Sequence, residues 1–460
     1  MKTWLMNQWE NYRTGFWFIP SLMTMGALFL GFLMPEVDRY LDSSIPVWMQ
    51  SSPETARATL TTIAGAMITA AGVVFSVTIV ALSITSSQFG PRLLRNFLSD
   101  SITQIALGAC LASSLYSLIL LSAFSKTEDK IFLPFVSIYL ALFLALVTLY
   151  ILIYSLHRVA SATQADNVVA EVADDLEDAI SRIFPEKIGE KSKDLAHCEN
   201  LAAELFSDRQ PKVASVNADK EGYLQAINHE GIVDLAQEFD LVIKLRARPG
   251  DFLMQGLPIA EVYPGTELDE DVQARLNKTF IVGNRRTPQQ DMECAVSELV
   301  EVAVRALSPG INDPFTAIRC VDRLGAMLRR LADREMPIPY RSDEEGALRV
   351  IARGYTFPNV LNCAFDQIRQ HGRGNVAVSM RLLESLEAIA DCVESDSQKA
   401  AVLRQAKMVY RGCVEAIPEE NDRDDLAERY WFVLKQLGEI PENHEPFNQD
   451  WKALSDKAGS

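Results

Sequence analysis

Residues 57–92 read RATLTTIAGAMITAAGVVFSVTIVALSITSSQFGPR, and between Arg57 and Arg92 no side chain is ionisable. Small or hydroxylated residues recur along this run at Thr62, Gly65, Thr69, Gly72, Ser76, Ser83 and Ser86, with spacings alternating between three and four and Ile79 as the bulky interruption. A 3.5-residue repeat holds one seam of a helix toward a partner, and small residues on it let backbones approach where lipid supplies no drive to associate. The stretch therefore predicts a membrane-spanning helix that is the close-contact element of its membrane region. Two uses of the seam stay open: close packing of helices, or hydroxyls and glycine carbonyls of several copies lining a water path.

Three further stretches, residues 14–35, 101–125 and 131–157, lack Asp, Glu, Lys and Arg. Each is long enough to cross a hydrocarbon core of about 30 Å. With the seam helix near 59–88 they predict a four-helix transmembrane domain over residues 1–160. Trp4, Trp9, Tyr12, Phe16 and Trp17 stand at the start of the first span, where an aromatic belt lies. No small-residue cleavage site precedes Glu36, Val37 and Asp38, so the first span reads as a retained anchor.

Charge divides the chain unevenly. Residues 1–160 hold 9 Lys and Arg against 8 Asp and Glu, and the remainder holds 35 against 53. Such an acidic region repels nucleic acid and anionic headgroups. Four spans put both termini on one side. Cys198, Cys294, Cys320, Cys363, Cys392 and Cys413 are scattered without CxxC spacing, as reduced cytosolic thiols are, and this places the C-terminal region and both termini in the cytoplasm of an inner-membrane protein.

Residues 161–218 read as a juxtamembrane helix and linker, the carboxylates of residues 171–178 forming a solvated face. Over residues 219–285 the period shifts to that of strands: GYLQAI at 222–227, LVIKLR at 241–246, then RPGDFLMQGLPIAEV from Arg248. This order resembles half of the small β barrel-sandwich of biotinyl and lipoyl carriers and membrane-fusion adaptors. The Met-Lys-Met tip of the carriers is absent, which favours a spacer or docking module over a swinging arm.

Residues 286–460 predict a helical domain. Thr287-Pro288-Gln289-Gln290 has the form of a capping box opening a helix to about Leu307, and Asp313-Pro314 caps the next, running to about Ala332. Later helices are expected over residues 359–370, 375–393, 398–417 and 424–437, with the turn HGRGN at 371–375 between two of them.

The candidate sites are few. The five histidines show no metal-ligand spacing, the cysteines complete no zinc set, and phosphate-loop, dinucleotide and nucleophile-elbow motifs are absent. The sequence thus predicts no enzyme, no metal and no cofactor. After the seam, Phe89, Gly90, Pro91, Arg92 and Arg95 predict a break at Gly90 followed by an interfacial helix or a gate linker. The loop from Ser308 through Gly310, Asn312 and Asp313 brings two helix ends together and is the candidate soluble site, with anion binding and simple capping as its two readings.

Taken in order, the stretches GVVFSVTIVALSITSSQFGPRLLRNFL, GYLQAI, RPGDFLMQG, RRTPQQDMECAVSELVEVAVRALSPGINDPFTA and AFDQIRQHGRGN resemble the bacterial membrane-protein family catalogued as domain of unknown function 2254. That resemblance implies a multi-pass bacterial membrane protein and supplies no catalytic or ligand residues. The sequence predicts a homo-oligomeric channel or transport protein, seam helices around a central axis, with the cytoplasmic region regulating it. The alternative is a membrane-anchored scaffold or sensor whose helical domain binds a cytoplasmic protein partner.

Overall fold

The computed structural model describes residues 16–41, 52–90, 100–123, 134–183, 195–206, 213–334, 336–343 and 345–440. Trp4, Trp9, Tyr12, Pro91, Arg92 and Arg95 lie outside them, and with them the expected interfacial helix. The chain forms two compact units, residues 1–168 and 169–460.

Among the described residues, the first unit has four helices long and apolar enough to cross a membrane: α1 (Phe18–Leu41), α2 (Pro53–Gln88), α3 (Ser101–Ala123) and α4 (Phe135–Ala162). Helix α2 starts earlier than its apolar run because Ser52 accepts the Thr55 N–H at 3.2 Å and Pro53 occupies the first turn. Its 36 residues extend about 54 Å at 1.5 Å per residue, well beyond the hydrocarbon thickness.

Within the single chain the close contacts of this unit are made by α3 and not by the α2 seam. The buried residues of α3 include a run of small and hydroxylated ones, Ala106, Ala109, Cys110, Ser113, Ser114 and Ser117, together with Tyr116 and Leu120. Ser113 shares a 2.9 Å hydrogen bond with Thr148 of α4, and the Ser114 hydroxyl donates to the Ala64 carbonyl of α2 at 3.0 Å. Where α1 crosses, a Cβ on Gly108 would lie 2.8 Å from Met23 Sδ and 3.0 Å from Pro20 Cα, so only glycine allows that approach.

Two carboxylates pin α4 at its ends. Asp38, buried near the end of α1, accepts the Val136 and Ser137 N–H groups at 2.9 and 3.0 Å and the Ser137 hydroxyl. These amides have no partner inside α4, so a side chain from another helix serves as its cap. Asp100 caps α3 through Thr103 N at 3.1 Å and accepts from Arg158 Nε of α4 at 3.2 Å.

The chain breaks at Thr163 and Gln164 before α5 (Ala165–Ile183), whose Val169, Val172, Leu176, Ala179 and Ile180 are buried while Glu171, Asp174, Asp175 and Asp178 face solvent. After α6 (Leu195–Leu205) come β1 (Ala214–Asn217), β2 (Gly222–Ile227), α7 (His229–Glu238), β3 (Val242–Leu245), β4 (Phe252–Leu253), β5 (Pro258–Tyr263), α8 (Glu270–Thr279) and β6 (Phe280–Gly283). Two sheets result, ordered β1-β5-β3-β8-β7 and β4-β2-β6, where β7 (Tyr340–Ser342) and β8 (Leu348–Ile351) arrive from far along the chain and β8 pairs parallel to β3.

This region holds two helices among its strands, which the resemblance to half of a barrel-sandwich did not include. The interval 229–238 carries Ile232, Leu235 and Ala236 at helical spacing behind the Asn228 cap, and α8 carries Val272 and Leu276 behind the Asp269 cap. Both helices share one apolar core with Val216, Leu224, Ile243, Ile259, Val262 and Val350 of the sheets.

Helices α9 (Met292–Ala306), α10 (Pro314–Ala332), α11 (Phe357–Gly372), α12 (Val376–Ala390), α13 (Asp396–Ala416) and α14 (Glu420–Gln436) complete the second unit. Helix α10 starts as its sequence predicts, with Asp313 accepting Thr316 N–H at 3.2 Å and Pro314 in the first turn. Helix α9 does not. Its cap is Asp291, and the expected capping box at Thr287 is absent because Gln290 is engaged elsewhere: its amide accepts the Ile227 N–H at 2.9 Å and donates to the Ile227 carbonyl at 3.3 Å.

Candidate functional site

The seam of α2 faces away from the chain's own helices. Thr62, Gly65, Thr69, Gly72, Ser76 and Ser83 are exposed and Ser86 is half-buried, whereas the inner face is Ala56, Leu60, Ile63, Ala64, Ala71, Val74, Thr78, Ala81 and Thr85. A Cβ on Gly65 or Gly72 would meet nothing within 4 Å. The Thr62 and Thr69 hydroxyls donate to the carbonyls four residues back, Ala58 and Gly65, at 2.8 and 3.0 Å. The donors of these two hydroxyls are thus satisfied within the helix.

At the C-terminal end of α2, the helix stops where the Gly-Pro pair predicts. Gly90 takes φ +113°, a region that L side chains rarely adopt. Phe89 is buried, its N–H donating to the Thr85 carbonyl at 2.8 Å.

The loop at residues 308–313 keeps its amides to itself. Ile311 and Asn312 N–H both donate to the Ser308 carbonyl, and Asp313 N–H donates to Ala306, at 2.8 to 3.1 Å. The Asp313 carboxylate occupies the first turn of α10, receiving both the backbone N–H and the hydroxyl of Thr316. Capping accounts for the loop's polar groups, and Gly310 and Asn312 project outward.

A second constellation escaped the sequence reading. The turn at residues 248–251 and the segment at residues 285–293, both quoted above for their resemblance, meet at the start of α9. Arg286 holds Asp291 through two bonds, Nε to Oδ2 at 2.6 Å and a terminal nitrogen to Oδ1 at 2.8 Å. The Asp291 carboxylate also accepts Cys294 N–H at 3.0 Å, so one buried group both caps α9 and pairs the arginine.

Arg248 pairs with Glu293 and lies 4.8 Å over the ring of Tyr355, and Arg353 reaches Asp251 at 3.3 Å. The Tyr355 hydroxyl accepts Met292 N–H at 3.3 Å and lies 3.1 Å from the Gln290 carbonyl. Burial first, then the nearby Asp291, pushes this phenol far above its usual range. Arg286 is held more firmly protonated by its bond to Asp291. Gly250, at φ +98°, leaves no room for a Cβ beside the Asp291 carboxylate.

Three guanidinium groups thus face three carboxylates, each cation satisfied by an anion. Such a closed network fixes the sheet region to the helical region. Cys363 nearby is not a primed nucleophile: burial pushes its thiol upward, with Ser297 Oγ at 3.8 Å as its hydroxyl neighbour. A signal was available in the paired Arg and Asp of both motifs, but only the fold reveals that the two separate segments address each other.

Four apolar spans, a small-residue seam turned outward and a large α and β unit define a multi-pass membrane protein. A family model described as "Predicted membrane protein (DUF2254)" matches residues 13–388, and the chain belongs to that family. It is similar to uncharacterized proteins of Mycobacterium bovis and Mycobacterium tuberculosis, each 31% identical over 411 residues covering 87% of this chain and 77% of the relative. No solved structure matches the chain.

Proposed function

We propose that the protein is a homo-oligomeric channel or transport protein of a bacterial inner membrane, in which the α2 seams of several copies face one another around a common axis. The observation that carries this reading is the outward direction of Thr62, Gly65, Thr69, Gly72 and Ser76, which leaves the close-approach face of α2 uncovered by α1, α3 and α4. Lipid gains nothing from such a face, whereas a second helix of the same kind packs against it at short range. The path between the seams carries hydroxyls and glycines and no charge, which suits passage without strong charge selection. The second unit regulates it from the cytoplasm. The even number of spans and the free state of all seven cysteines support that placement of the termini.

The test is Ser76→Cys in the full chain with its native cysteines replaced, reconstituted in vesicles beside the same Cys-free parent. A water-soluble thiol reagent is expected to alter flux of ions or small solutes through the variant and not through the parent. Absence of flux under every voltage and tension applied, with an unreactive thiol at position 76, contradicts the proposal.

A further inference from the structure

Within the second unit, the turns at residues 307–313, 373–375 and 417–419 come together at one end of the helical region. A Cβ on Gly372 would lie 3.5 Å from Leu307 Cδ1, and one on Gly412 would lie 3.8 Å from Arg373 Cβ. Arg423 donates to the Ile417 and Pro418 carbonyls at 3.1 Å, closing the third turn against the start of α14.

This end is unlike the rest of the unit's surface. Ile311, Phe315 and Val414 are three of the six large apolar side chains that the described residues of the unit expose, the others being Phe252, Met254 and Leu257 of the β4–β5 turn. Phe315 is the most open of them, 72% exposed. Charge is unevenly placed across the same end: Arg305, Arg319, His371 and Arg373 belong to α9, α10, the end of α11 and the α11–α12 turn, while Glu415, Glu419, Glu420, Asp424 and Asp425, with Arg423 among them, belong to the end of α13, the turn after it and the start of α14. The Asp313 carboxylate already takes the Thr316 N–H in the first turn of α10 and puts a negative charge there, so the basic side offers side chains and not a small-anion cradle.

We propose that this end is a contact between two copies of the chain, related by a two-fold axis lying in the end face. A two-fold contact uses the same patch twice and must match itself. Here the arginine side of one copy lies opposite the acidic turn of the other, with Phe315 and Ile311 excluding water between them. A bilayer with anionic lipid fits less well, because five carboxylates sit on the same end as the basic groups. The proposal extends the homo-oligomer reading but uses a surface separate from the α2 seam.

Two tagged full-length copies are co-expressed, one carrying R373K with E419Q and E420Q, the other keeping Arg373 and both glutamates. After zero-length carbodiimide coupling in mild detergent, an amide bond from the amine introduced at position 373 to Glu419 or Glu420 can form only between copies, and mass spectrometry identifies it. The expected result is that bond, about fivefold weaker with Phe315→Ala in both copies and still present with Gly72→Leu, which blocks the seam alone. No such bond in detergent or lipid discs, or a yield indifferent to Phe315→Ala, overturns the proposal. Absence of seam contacts in the chain that keeps Gly72, with the bond retained, would refute the channel reading and leave this one standing.

Discussion

Replacing Asp291 by alanine removes two interactions from one buried position. The helix cap on Cys294 N–H contributes about 1 kcal/mol. The larger part comes from Arg286, left without its bidentate partner. Breaking a buried pair costs about 3–5 kcal/mol, and since Arg286 keeps 26% exposure and Glu293 at 4.0 Å, a reduced figure of about 2–3 kcal/mol applies. The sum, about 3–4 kcal/mol, is a large fraction of the roughly 5–15 kcal/mol available to a domain. Urea unfolding of the full chain in detergent micelles, followed by hydrogen exchange at the α9 amides, is expected to show that loss. Asp291→Asn, which keeps a capping oxygen, is expected to lose about 2 kcal/mol, and adding Arg286→Met to it to recover about 1 kcal/mol, since the unpaired charge is then gone. If Asp291→Ala stays within about 0.5 kcal/mol of the parent, the junction is a surface ion pair and the reasoning fails.

The two glycine settings give opposite outcomes. Gly108→Leu drives a side chain into Pro20 and Met23 and is expected to lower the unfolding temperature of the membrane unit, by at least about 2 kcal/mol in stability, whereas Gly72→Leu is expected to leave the single-chain fold intact and change only the oligomeric mass by light scattering. Equal effects on both measurements would contradict the assignment of α3 as the inner helix. Tyr430 is held by burial at a pKa up to about 12, against a usual value of about 10. Above pH 10 the unfolded chain therefore releases a proton that the native state retains, and stability falls between about pH 10 and 12, by at most about 2–3 kcal/mol from this group. Tyr430→Phe is expected to flatten that slope in a pH series of urea midpoints; an unchanged slope assigns it to other groups.

The spans were legible because membrane insertion demands long stretches without charge, a local property that residues 14–35, 101–125 and 131–157 show on their face. Asp313-Pro314 and Asn375 were legible for the same reason, since a cap bonds three residues away. What failed was long-range. Asp38 serves amides nearly a hundred residues on, and Gln290 leaves its local cap for Ile227, sixty-three residues back. β8 pairs with β3 across more than a hundred residues, a parallel pairing that no turn announces. The seam shows the limit most plainly: spacing fixes which face of α2 admits a close neighbour, but Ser113 and Ser114 of α3, less regular in sequence, supply the neighbour inside the chain.

The uncovered seam is therefore the central claim, and oxidative cross-linking along α2 tests it. Single cysteines at positions 62, 65, 69, 72 and 76, compared with 68 and 75 on the bulky exposed flank and 146 on α4, are introduced into the full chain with its partly exposed Cys363 and Cys392 replaced. The account predicts disulfide-linked dimers that peak at the seam positions and fall at the others, repeating every three to four residues. Cross-linking that is absent throughout, or strongest at position 146, would contradict it.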